Sequence, residues 1–258
     1  SIGRNGAARL VTIATGLDVL PAIRSAPTVT AAQMAEVDRV AVEEYGIALE
    51  MLMENASRQV AAAARALLED VEGRTIVCVA GSGNNGGDAI GAARRLHGWG
   101  ATVRCVLSAA PDRLHATARL QHDILRRLGV PIASADEARF DDADLIVDGL
   151  LGYSVSGAPR GDIELLIREA DRSRVPILAI DLPSGIDPDT GQPLGIAIRA
   201  AATVTLALPK AGLLRTAFRS LVGELLIADI GIPPVVYERF GIDARRLFVS
   251  GDLVRVVS

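Results

Sequence analysis

Two aspartates and one glycine-rich stretch are the residues of this chain whose types and spacing could do chemistry. Gly81-Ser82-Gly83-Asn84-Asn85-Gly86-Gly87-Asp88 puts four glycines into its first seven positions. Without Cβ atoms, backbone N–H groups can converge on an anion, and a helix that follows adds the partial positive charge of its N-terminus. A phosphate is the natural guest. Gly81, Gly83 and Gly86 also satisfy G-x-G-x-x-G, but a dehydrogenase would carry an acidic residue for the ribose about 20 residues further on. Here the next strand runs into Ser108-Ala109-Ala110 with no carboxylate before Asp112. Asn84 and Asn85 are better explained as ligands for a polar substrate or a cation, with Asp88 as a hydrogen-bond anchor. An ordinary glycine-rich β-α turn is the plain alternative.

Asp148 and Asp181 each directly follow an apolar run, Ala143–Val147 and Ile177–Ile180. At the ends of parallel strands both would point into one crevice, where like charges in a partly desolvated site repel. A bound cation, a raised pKa on one aspartate, or a partner such as Lys210 would relieve that repulsion. Either aspartate could instead cap the next turn, and Pro183-Ser184-Gly185 makes this most credible near Asp181. No G-x-S-x-G elbow and no P-loop Gly-Lys-Ser/Thr is present, which disfavours acyl-enzyme and ordinary nucleoside-triphosphatase chemistry.

The elements that must position these groups alternate. Short β-branched runs predict strands near 75–80, 101–107, 143–148, 175–181, 202–208 and 224–229, with helices near 88–97, 113–128 and 161–171 between them. Upstream, Thr30 and Gln33 form a capping box opening a helix to about Tyr45, with Gly46 as its stop, and a second helix covers Leu49 to Leu68. The Ala61–Ala64 run in that helix implies close packing, while Glu54 and Asn55 read most simply as a solvated face. Such alternation predicts an α/β fold with a mostly parallel sheet covered on both faces and ligands beyond the carboxyl ends of its strands. Residues 28–258 read as one domain and residues 1–27, with an apolar patch at Leu10 to Ile13, as an extension.

Composition narrows the partners. The chain has 258 residues, half of them apolar, a net charge of −4 and no long basic run, so nucleic acid is not an expected partner. No apolar stretch approaches membrane-spanning length. Cys78 and Cys105 fall inside predicted strands, as small core residues of a protein in a reducing, cytoplasmic compartment. His97, His115 and His122 have no paired Cys or Glu at ligand spacing and are expected on the surface.

The motifs in combination are recognisable. Met53-Glu54-Asn55-Ala56, Gly83-Asn84-Asn85-Gly86-Gly87-Asp88, Asp148-Gly149-Leu150-Leu151-Gly152, Asp181-Leu182-Pro183-Ser184-Gly185-Ile186-Asp187, Pro209-Lys210-Ala211-Gly212-Leu213 and Ala228-Asp229-Ile230-Gly231-Ile232-Pro233 together resemble the YjeF N-terminal domain family, the NAD(P)H-hydrate epimerases. The similarity spans about residues 30–234. It implies a Rossmann-like three-layer α/β/α sandwich, a homodimer and a potassium ion. The implied activity interconverts the R and S epimers of hydrated NADH or NADPH, NAD(P)HX, so that a partner dehydratase can repair both.

The resemblance also implies roles. Asn84, Asn85, Gly86, Gly87 and Asp88 would contact the hydrated dinucleotide, and Gly152, Tyr153, Ser154, Val155, Ser156, Gly157 and Ala158 would form a second substrate loop. Asn85, Asp148 and Ser184 would hold potassium, whose taste for hard oxygen ligands suits that set. Asp181 would contact substrate and act as general acid or base at the carbinol carbon, so that Asp181→Ala abolishes activity with the fold intact. Ala89 stands where many members carry Gly, and the second loop offers no cation before Arg160, where many members place Lys or Arg. Only about 25 residues follow Pro234, so the dehydratase often fused behind this domain is expected as a separate chain. The alternatives are a non-catalytic dimeric nucleotide-binding or scaffold module of the same fold, for which two buried acids would be superfluous, and an oxidoreductase, which lacks its ribose acid.

Overall fold

In a computed structural model, residues 16–257 are described; the apolar patch at Leu10 to Ile13 lies outside them. Nine strands form one sheet: β1 (Ala22–Ile23), β2 (Thr75–Ala80), β3 (Thr102–Leu107), β4 (Ile132–Ser134), β5 (Leu145–Gly149), β6 (Ile177–Ile180), β7 (Ala202–Leu206), β8 (Glu224–Ala228) and β9 (Leu253–Val256). Their order is β1-β9-β8-β7-β6-β5-β2-β3-β4. All neighbours run parallel except β8 and β9.

Period-two alternation sorts the strand side chains between two helical layers. Ile76, Cys78, Ala80, Leu145 and Val147 face one layer, whereas Val77, Val79 and Ile146 face the other. On the first side lie α2 (Leu49–Leu68), α3 (Asn84–Gly98) and α4 (Ala116–Arg127), contributing Val60, Ala64, Ala93 and Leu125 to the core. On the second, α5 (Gly161–Ser173) contributes Leu166, Ile167 and Ala170. The fold is the expected α/β/α sandwich.

The helix α1 (Ala31–Arg39) opens on the expected capping box: Gln33 N donates to Thr30 Oγ1 (3.1 Å) and Thr30 N to Gln33 Oε1 (2.9 Å). It continues as a π-helical turn over Val40–Glu44 and ends before Gly46, whose φ of 72° requires a residue without Cβ. Residues 16–27, read as part of an extension, join the domain: Leu17 is buried, and β1 pairs with β9. Glu54 and Asn55 are partly exposed yet also make specific contacts. Glu54 pairs with Arg94 at 2.5 Å and with Arg95, and Asn55 Nδ2 donates to Ile230 O at 3.0 Å.

What positions the site is the sheet order. The chain leaves β2 toward β3 on one side, and later places β5 on the other side of β2. That reversal opens a crevice beyond the carboxyl ends of β2 and β5, the place where ligands bind in doubly wound sheets.

Candidate active site

The loops leaving β2 and β5 meet at this crevice at close quarters. Gly81 N donates to Gly149 O at 3.0 Å, and a Cβ on Gly81 would stand 2.0 Å from Leu150 O. A Cβ on Gly86 would stand 1.9 Å from Gly81 O. These two glycines therefore serve the approach of protein backbone to protein backbone. Helix α3 begins at Asn84, earlier than expected, so Gly86 and Gly87 are buried in its first turns. Gly83 is its N-cap and makes no side-chain cap, which leaves the first N–H groups of a 15-residue helix facing the crevice.

A cavity of about 390 Å³ opens there. Asn84, Asn85, Asp88, Gly152, Tyr153, Ser154, Val155 and Asp181 line it; Gly86, Gly87, Ser156, Gly157 and Ala158 do not, and neither does Arg160. The other walls come from α1 and α2, with Met34, Asp38, Leu52 and Met53, and from Leu206, Lys210 and Ile230. His115 lies at the rim with its side chain exposed, whereas His122, expected on the surface, is buried and paired with Asp123 at 3.0 Å.

Asp181 is the most constrained residue of the wall. Its N–H still bonds Val204 O in the sheet (2.8 Å), but its φ is 67°, a left-handed conformation costing a residue with Cβ about 1–2 kcal/mol. Lys210 Nζ forms an ion pair with Oδ1, which Leu206 N also approaches at 3.4 Å, while Tyr153 N donates to Oδ2 at 3.2 Å. Asp181 and Lys210 are 3% and 1% exposed, so this pair is sealed from bulk water. Lys210 is itself clamped, because Val29 N bonds Pro209 O (3.1 Å) and Ala211 N bonds Val29 O (3.0 Å). Its ammonium also donates to Leu206 O at 3.1 Å and lies 5.3 Å from the centre of the Tyr153 ring.

Asp148 does not share the crevice mouth with Asp181 as expected. It points from β5 to the α5 side and is fully buried beneath the crevice floor. Ser184 Oγ and N donate to it at 2.7 and 2.9 Å and Leu150 N at 3.2 Å. Burial, against these hydrogen bonds, pushes its carboxyl up to about 6. Of the three foreseen reliefs of charge, a cationic partner is present at Asp181, while the rise at Asp148 comes from burial and not from the charge of Asp181.

The oxygens around Asp148 form a connected group. Ser184 Oγ accepts from Leu151 N at 2.9 Å and lies 3.5 Å from Leu151 O, and Asn85 Nδ2 donates to that same Leu151 O at 2.9 Å and to Ile180 O at 3.3 Å. Among the described residues no side-chain cation contributes to the environment of Asp148. A buried carboxylate without one, beside a hydroxyl and an amide that reaches the same carbonyl, is a donor set suited to a hard monovalent ion. Turning the Asn85 amide over would present Oδ1 in place of Nδ2.

Two further wall carboxylates complete the electrostatics. Asp88 projects from α3 and is 6% exposed; burial, then the charges of Asp181 and Asp38, raise its carboxyl well above the usual range. Asp38, on α1, accepts from the Tyr153 hydroxyl at 2.6 Å. Burial raises Asp38 too, against the hydrogen bond from Tyr153 and the charge of Lys210. Burial and the Asp38 charge push the Tyr153 phenol up, so it stays protonated at neutral pH.

The chain that builds this wall matches known proteins in sequence. The model of the family described as YjeF-related protein N-terminus matches residues 49–212. An NAD(P)H-hydrate epimerase of Dehalogenimonas lykanthroporepellens is 38% identical over 232 residues, covering 89% of this chain and 93% of that protein. The chain belongs to this family. An NAD(P)H-hydrate epimerase of Pirellula staleyi is 39% identical, covering 78% of this chain and 91% of the relative. A bifunctional NAD(P)H-hydrate repair enzyme of Thermofilum pendens is 38% identical over 78% of this chain, which spans 39% of that protein's length. Among solved structures, the yeast protein ynu0, YNL200c, superposes with a TM-score of 0.79 over 89% of this chain and 100% of its own, at 24% identity, and shows the same fold.

Sequence reasoning named Lys210 only as one option for a partner and missed Asp38. A signal for the first was available: Lys210 is the only lysine among 27 basic residues, and an ammonium suits a compact buried contact where a guanidinium would not fit. Nothing in the local pattern of α1 distinguishes Asp38 from its exposed acidic neighbours.

Proposed function

We propose that this chain interconverts the R and S epimers of hydrated NADH and NADPH. The observation that carries the reading is Asp181, held by Lys210 and by the N–H groups of Tyr153 and Leu206 on the wall of a cavity that also contains the start of α3. One end of that cavity suits phosphate and the other suits proton transfer. The first-turn N–H groups of α3 and the Asn84 amide bind the diphosphate bridge. Thr117 Oγ1 donates to Asn84 Oδ1 at 3.0 Å, which turns that amide's nitrogen to the ligand. Leu52, Met53, Leu206 and Ile230 supply the apolar surface for the hydrated ring.

Epimerisation at a carbinol carbon requires a proton to be given to, or taken from, the oxygen that leaves and returns. Asp181 is placed for this, since its backbone and both oxygens are fixed before substrate arrives, so no orientation remains to be found in the transition state. Lys210 holds the carboxyl in place. It also supplies the wall's positive charge, which the 152–158 loop does not.

Asn85, Asp148 and Ser184 would hold a potassium ion, whose charge would compensate the buried Asp148 and brace the backbone between Gly149 and Gly152. The free, buried Cys78 and Cys105 suit a reducing cytoplasm. Among the described residues no helix is long and apolar enough to cross a membrane. A homodimer belongs to the same proposal, as does work alongside a dehydratase, and sedimentation of the purified chain tests the former.

The direct test starts from one resolved epimer of NADHX and follows the other by chromatography. Equilibration much faster than the spontaneous rate, lost in Asp181→Asn, is expected. A wild-type rate equal to that of buffer would remove the assignment.

A further inference from the structure

Inversion at a carbinol carbon raises a demand that Asp181 alone does not meet. Hydroxyl must leave from one face of the ring and water must return to the other. One fixed carboxylate reaches one face. Inverting glycosidases, which also invert a C–O centre, use two carboxyl groups set far enough apart to admit water between them.

The cavity wall contains a second proton-carrying assembly. Tyr153 spans it: its backbone N–H holds Asp181 Oδ2 (3.2 Å), and its hydroxyl, a full tyrosyl length away, holds Asp38 Oδ2 (2.6 Å). Both Asp38 and Tyr153 line the cavity. Asp38 comes from α1, so the two carboxylates approach from different layers of the molecule and their separation is fixed by one rigid side chain. It also lies before residues 49–212, the span matched by the family model. Asp181 is held by an ammonium and two N–H donors. Asp38 accepts from the phenol, and its carboxyl is raised above the usual range by burial. The two carboxyls therefore meet the cavity through different partners, an ammonium for Asp181 and a phenol for Asp38.

We propose that Asp38, acting through the Tyr153 hydroxyl, is the second proton carrier of the epimerisation and serves the ring face opposite to Asp181. The inference rests on the epimerase reading above. With Asp38 protonated, it donates to the phenolic oxygen and the phenolic proton turns to the substrate hydroxyl. That hydroxyl takes the proton as the C–O bond breaks; the bonding pair leaves with water, and the ring nitrogen's lone pair forms a C=N bond. A second water then attacks the other face, its lone pair forming the new C–O bond. The C=N pair returns to nitrogen, and the attacking water's surplus proton passes to Asp181. The net change is an inverted centre, one water exchanged, and one proton moved from Asp38 to Asp181; the opposite turnover restores it.

Oxygen exchange tests this in a way that a structural role cannot imitate. Each resolved epimer is incubated in ¹⁸O-water with wild type, Asp38→Asn, Tyr153→Phe or Asp181→Asn, and both inversion and label at the carbinol oxygen are read by chromatography and mass spectrometry, with thermal melts as a check on folding. Wild type should incorporate label with every inversion. Asp38→Asn should lose inversion by at least about a hundredfold yet still exchange oxygen, with retention, in the single epimer that faces Asp181. Asp181→Asn should exchange only the other epimer, and Tyr153→Phe should behave as Asp38→Asn. Inversion without label, wild-type inversion in Asp38→Asn, or loss of exchange in both epimers together would overturn the proposal. A wild type that neither inverts nor exchanges would instead overturn the epimerase reading itself.

Discussion

The ion pair between Lys210 and Asp181 is the residue-scale commitment on which the site stands. Removing one member of a buried pair strands the other charge away from water, at about 3–5 kcal/mol. Lys210→Met is therefore expected to lose about that much stability in urea unfolding, and Lys210→Met with Asp181→Leu to regain most of it; additive losses would show that the two do not interact. The same logic revises the expectation that Asp181→Ala keeps the fold intact, since it too leaves the ammonium unpaired. Asp88 gives a pH signature. Burial raises its folded carboxyl above the unfolded value, so its contribution is intact below about pH 3.9 and is lost as pH climbs toward the folded value. Asp88→Asn removes that penalty, so its melting temperature should gain on wild type from pH 4 to pH 8, and a gap independent of pH would contradict the assignment. Asp148 and Asp181 were legible because a carboxylate ending an apolar strand is costly without a purpose. Which one faces the cavity was not legible, because one residue of register decides the face and strand ends are blurred in sequence.

At the scale of elements, the start of α3 is where sequence and structure part most usefully. Its glycines read as a ligand-cradling loop, yet Gly81 and Gly86 are spaces into which neighbouring backbone fits. Gly86→Ala should therefore cost about 1–3 kcal/mol by overpacking. Gly83→Ala should stay within about 0.5 kcal/mol, since its Cβ would meet nothing nearer than the His115 ring at 3.9 Å. Equal losses in chemical denaturation would contradict this division. The central strands were legible from β-branched runs, and α2 fell on its expected bounds because its periodicity is long. β1, β4 and β9 were not, being two to four residues long and defined by the strands they join. Asp38 escaped for a related reason: an acid on an amphipathic helix looks solvated until another element is laid over it.

For the molecule as a whole, the reversal of strand order between β2 and β5 gathers groups from distant parts of the chain around one opening. If Asp148 is compensated by potassium, exchanging potassium for tetramethylammonium should lower the melting temperature, at about 2–4 °C per kcal/mol of binding energy for a chain of this size, and Asp148→Asn should erase the difference. The central claim is that this opening inverts the hydrated nicotinamide ring, and repair of a mixture tests it most directly. A mixture of NADHX epimers is given to a dehydratase that consumes one of them, with and without this protein, and NADH is read by absorbance. Complete conversion with the protein present, against a stop at the fraction of the consumed epimer without it, is the expected result. A stop at that same fraction in both reactions would contradict the account.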